Sequence, residues 1–109
     1  MARYIITGSY TAAAIKGMLA KPSDREAAAR VLVEAAGGKL DSFFLTTGDN
    51  DFSMLVQSDS LPDILAALMA VSASGAVSGM KTVQAFTSAE FQAAQKRAGE
   101  IAAKYSPPA

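Results

Sequence analysis

The stretch "LTTGDNDFSMLV", residues 45–56, decides how this chain folds. Two apolar runs meet at Gly48-Asp49-Asn50-Asp51, residues that turns select: Gly tolerates positive φ, and Asp and Asn bond to backbone two residues on. The spacing predicts a hairpin between strands at Lys39–Thr47 and Asp51–Gln57. Its loop holds an even number of residues, Gly48-Asp49 or all of Gly48 to Asp51, because a three-residue loop wants its Gly late rather than first. Strand side chains alternate between faces. An even loop therefore puts Phe43 and Leu45 on one face with Phe52, Met54 and Val56, and Leu40, Phe44, Ser53, Leu55 and Gln57 on the other. Both faces are partly apolar, so both need a cover.

Working outward, Arg3–Ser9 is rich in β-branched and aromatic residues and reads as a strand. Residues 10–22 favour helix, with Ile15, Met18 and Leu19 on one side, weakened at Gly17 and Pro22. Ser23 and Glu26 are spaced as a capping box for a helix whose stripe is Ala28, Val31, Leu32 and Ala35, ended by Gly37-Gly38. Ser60 and Asp63 open a second helix, with Ile64, Leu65, Leu68, Met69 and Val71 wrapping more than one narrow stripe, up to Gly75. Residues 77–86 form a further strand interrupted by Gly79. Thr87 and Glu90 then cap a last helix carrying Phe91, Ala94, Ala98, Ile101 and Tyr105, before a tail at residues 106–109. The order is βαββαβ plus a C-terminal helix: an α+β, ferredoxin-like fold whose four-stranded antiparallel sheet has helices on one face. At 109 residues the chain is expected to be one domain.

Composition narrows the chemistry. There is no Cys and no His, which removes a thiolate nucleophile, an imidazole base, the usual zinc sites and the usual haem ligand. Ten basic and ten acidic residues cancel, which leaves no electrostatic footprint for nucleic acid. No run is long and apolar enough to span a membrane, and the N-terminus does not have the form of a secretory signal, so a cytoplasmic protein is expected. No metal site and no cofactor are expected. Arg25, Glu26 and Glu34 read as a solvated helix face, and Met54, Met69 and Met80 as core.

"YIITGSYT", "AGGKLDSFFLTTGDNDFSMLVQSDS" and "VQAFTSAEF", in that order, resemble the GYD domain family of small bacterial proteins named for a Gly-Tyr-Asp motif. Gly48 and Asp51 match the motif, while Asn50 stands where its Tyr would be. The resemblance implies a ferredoxin-like domain that associates through its sheets, as dimeric α/β-barrel proteins do. That broader group includes cofactor-free monooxygenases and haem-degrading enzymes.

Two functional readings follow. In the first, the protein is an oligomeric module, a homodimer or larger ring whose sheet faces bury one another. In the second, it binds a small molecule, or is a monooxygenase-like enzyme, with a pocket between sheet and helices lined by Phe44, Ser53, Leu55, Gln57 and Lys81 and with Asp51 at the rim. The plainer reading of Lys81 is a charge guarding an edge strand, and that of Gly48, Asp49, Asn50 and Asp51 is a turn.

Overall fold

In the computed structural model, which describes residues 1–108, the elements run β1 (Ala2–Tyr10), α1 (Ala12–Ala20), α2 (Arg25–Ala35), β2 (Lys39–Leu45), β3 (Phe52–Ser58), α3 (Leu61–Ala73), β4 (Val77–Ala85) and α4 (Ser88–Ala102). The four strands form one sheet in the order β2-β3-β1-β4, with every neighbouring pair antiparallel. This is the ferredoxin-like α+β arrangement, with two helices rather than one in the first crossover. Of the expected tail, Ser106–Pro108 have no regular structure and Ala109 lies outside the described residues.

The hairpin has the expected parity: Leu45 pairs with Phe52 and Phe43 with Met54, and Gly48 takes φ +105° in the turn. Phe52, Met54 and Val56 lie under the helices with Tyr4, Ile6, Val33, Leu40 and Ile64, and these residues make the core. Leu40 departs from the expected face. The register shifts between Leu40 and Ser42, so Asp41 is an extra residue in β2, and Leu40, opposite Val56, turns inward. A second shift lies between β1 and β4, where Thr7 pairs with Lys81 but Ser9 with Ser78. The extra residue there falls on β4, where Gly79 adopts φ +60°.

The helix signals are local and mostly hold. In α3, the Ser60 hydroxyl accepts from the Asp63 amide, and Ile64 is buried while Leu65 and Met69 stay exposed. Met69 is thus not core. In α2 the cap is Asp24, not Ser23: its carboxylate accepts from the Ala27 amide at 3.1 Å. The buried stripe is correspondingly displaced by one residue, to Ala29, Leu32, Val33 and Ala36, while Val31 is exposed. The reason lies at the other end of the helix. Gly38 donates to the Val33 carbonyl and Gly37 to that of Glu34, a left-handed cap that swings the chain back into β2 and presses Val33 against the sheet.

α4 stands apart from this body. Thr87 and Glu90 form the reciprocal capping box, yet every residue from Phe86 to Pro108 is exposed, including Phe91, Ile101 and Tyr105. The radius of gyration, 18.0 Å, exceeds the roughly 13 Å of a compact chain of this length. A helix of this length is marginal in water without a packing partner.

Two predictions concern these elements. A methyl on Gly8 would stand 2.5 Å from the Met80 sulfur and 2.7 Å from Cζ of Phe52, whose buried ring is flanked by Tyr10 and Phe43. Gly8→Ala is expected to lower stability by about 1–3 kcal/mol, read by urea unfolding. For Glu90, the Thr87 amide and hydroxyl, with the Arg3 charge nearby, hold the carboxyl below its ordinary range. Its folded-state value is depressed, so its contribution to the start of α4 is present above the ordinary carboxylate range and is lost as pH falls through the depressed value. Protection factors of the amides in the first turn of α4, taken relative to the slower intrinsic exchange in acid, are expected to fall on that acidification, and Glu90→Gln to remove the pH dependence.

Candidate functional site

Strand alternation sends one set of side chains away from the helices, and the register aligns them in rows across the sheet. The middle row is Ser42, Leu55, Ile5 and Val83. To one side lie Phe44, Ser53, Thr7 and Lys81, and to the other Gln57, Arg3 and Ala85. Among the described residues no helix covers this face: Phe44 is 67% exposed, Val83 58% and Ile5 39%. Its charged groups and Gln57 lie toward the ends. Gln57 donates to Asp41 at 2.6 Å, Arg3 pairs with Glu90 at 3.5 Å, and Lys81 is exposed on the edge strand β4.

Phe44, Ser53, Leu55, Gln57 and Lys81 therefore do share a face, but it is the open one. They do not line a pocket between sheet and helices, because the parity that buries Phe52, Met54 and Val56 turns Ser53, Leu55 and Gln57 outward. Asp51 belongs to neither side. Its amide donates to the Gly8 carbonyl at 2.8 Å, and its carboxylate Oδ2 accepts from the Tyr10 amide at 2.8 Å. The carboxylate thus supplies an acceptor just beyond the end of β3, where the ladder to β1 runs out. Around it, the Thr46 amide donates to the Asp51 carbonyl, the Thr46 hydroxyl to the Asn50 carbonyl, and the Ser9 hydroxyl to the Asp49 carbonyl. Gly48-Asp49-Asn50-Asp51 is a turn fastened to β1.

The cleft on the helix side is built from other residues. A cavity of about 310 Å³ lies between α2, α3 and the sheet, with Phe43, Phe52, Met54, Val71 and Met80 among its walls. Its polar margin includes Tyr10 and Arg25. The Arg25 guanidinium lies 5.6 Å from the centre of the Tyr10 ring, and its Nε is buried with no hydrogen-bond partner. Arg25 is half-buried, not part of a solvated face. Nothing local marks it, since its neighbours Asp24 and Glu26 are exposed and only the third dimension brings Tyr10 beneath it. Among the described residues, no group of three or more His, Cys, Asp or Glu is placed to hold a metal ion, and no helix is long and apolar enough to cross a membrane.

The fold and its uncovered sheet face define a ferredoxin-like α+β domain with a single layer of helices. The GYD domain matches residues 4–94, and the chain belongs to that family. Among solved structures it is similar to TTHA0845 from Thermus thermophilus, at 15% identity and TM-score 0.50, over 81% of this chain and 96% of that one. It is also similar to MtbAldR, at 12% identity and TM-score 0.52, over 79% of this chain and 52% of that one. At these identities the likeness is one of fold. No curated protein matches the chain. Of the family motif, Asp51 provides the acceptor for Tyr10, while Asn50 uses its backbone carbonyl, which a residue with any side chain offers.

Removing the Asp51 carboxylate leaves the half-buried Tyr10 amide unpaired. Asp51→Ala is expected to lower stability by about 1–3 kcal/mol and to speed exchange of the Tyr10 amide proton. Asp51→Asn, which keeps an acceptor oxygen, should lose less; both are read by denaturant unfolding.

Proposed function

We propose that this GYD domain is a self-associating module in which the open sheet faces of two copies pack together and α4 closes over the partner. One observation carries the reading: the face centred on Leu55, Ile5 and Val83, with Phe44 beside it, is apolar and uncovered. The fully exposed α4 of the same chain carries Phe91 and Ile101 with no packing surface of its own.

Fully burying a large aliphatic or aromatic side chain contributes about 1.5–3 kcal/mol, and less for Leu55 and Ile5, which the monomer already covers in part. Association costs about 4–15 kcal/mol in lost freedom. The apolar residues of α4 add to what the sheet face supplies. A closed dimer follows from a face used by both partners.

Sedimentation velocity tests this. The intact chain is expected to run as a dimer or larger species. Leu55→Asp combined with Val83→Asp should give a folded monomer, because neither residue belongs to the core, and truncation after Thr87 should weaken association without abolishing it. An intact chain that sediments as a monomer overturns the reading.

A further inference from the structure

We propose that the cleft between α2 and α3 binds a small organic anion with an apolar body, a medium-chain carboxylate, whose head group is held by Arg25. The site lies on the opposite side of the sheet from the face assigned to self-association, so this inference stands apart from that one.

The walls set the body of the ligand. Phe43, Phe52, Met54, Val71 and Met80 offer carbon, sulfur and aromatic surface around about 310 Å³. At roughly 30 Å³ per water-sized group, that space takes an apolar body of about ten heavy atoms. Two of these walls are methionines, whose unbranched side chains adapt to a flexible chain.

Arg25 sets the head. It is the one charged side chain among the residues lining the cleft. None of the ion pairs among the described residues includes it; the neighbouring Glu26 is taken by Arg30. Among the described residues its only hydrogen bond runs from Nη1 to the Ser23 hydroxyl at 3.3 Å, and its buried Nε–H has no acceptor there. The Tyr10 ring, its centre 5.6 Å from the guanidinium, keeps the fork at the cleft. A planar guanidinium with one of its five donors engaged matches the two oxygens of a carboxylate, which one point charge would not do. A single cation at the mouth of an apolar cleft selects one anionic group, not a polyanion.

Isothermal titration of the full-length protein with decanoate, and with decanol as the uncharged control, tests the assignment. The expected result is saturable binding of one decanoate per chain, at least tenfold weaker for decanol. Arg25→Met should weaken decanoate at least tenfold while leaving decanol and the oligomeric state unchanged. Ala70→Trp, introduced from the exposed side of α3 into the cleft, should block both ligands. Absence of saturable decanoate binding, equal affinity for decanol, or an Arg25→Met variant that binds decanoate as tightly as the parent chain overturns it. The first of these is also the result expected if a helix from a second copy fills the cleft.

Discussion

Consecutive side chains on a β-strand point to opposite faces, and β3 is where that constraint governs the molecule. Phe52, Met54 and Val56 enter the core beneath α2 and α3, so Ser53, Leu55 and Gln57 have no choice but to face outward. Because β3 pairs with both β2 and β1, its parity is imposed on Phe43 and Phe44 on one side and on Ile5 and Ile6 on the other. A single helical layer satisfies half of this arrangement. The outward half retains Ile5, Leu55 and Phe44, which makes the domain a half-finished sandwich as a monomer.

The polar residues that look most like chemistry serve mainly to hold that sheet in shape. Asp51 lends its carboxylate to the end of β1, Ser58 bonds both the amide and the carbonyl of Ser60, and Asp24, Ser60 and Thr87 each close the start of a helix. Arg25 is the exception. Beyond one bond to the Ser23 hydroxyl its hydrogen-bonding capacity is not spent inside the protein, and it stands beside an apolar hollow on the helix side.

What could be read from residue order was what short-range chemistry determines. The parity of the hairpin, the Gly37 cap, the Ser60 cap and the Thr87–Glu90 box each depend on residues within a few positions of one another, and each is legible. Leu40 was not. Nothing in "KLDSFF" marks Asp41 as an extra residue, because a bulge is set by the match between two strands and not by one. The stripe of α2 was displaced for a similar reason: alanines flank both candidate stripes and pack equally well, so the choice fell to the Gly37-Gly38 connection that pulls Val33 inward. Alternation placed Phe44, Ser53, Leu55 and Gln57 on one face, as the register has them, but which side of the sheet the helices occupy is not carried by alternation. Arg25, between two exposed acids, could not be distinguished from a surface charge until the Tyr10 ring was beneath it.

The two register shifts also bear on how copies of this chain can meet. Both sheet edges are irregular: β2 carries the extra Asp41 beside Lys39, and β4 the left-handed Gly79 two residues from Lys81. An unpaired strand that is kinked and charged is a poor template for the backbone of another. Strand-to-strand extension, which would add copies without limit and lead toward fibres, is thereby discouraged at either end. The broad side of the sheet remains as the surface for the proposed self-association, and a face of that kind is used up once it has been covered.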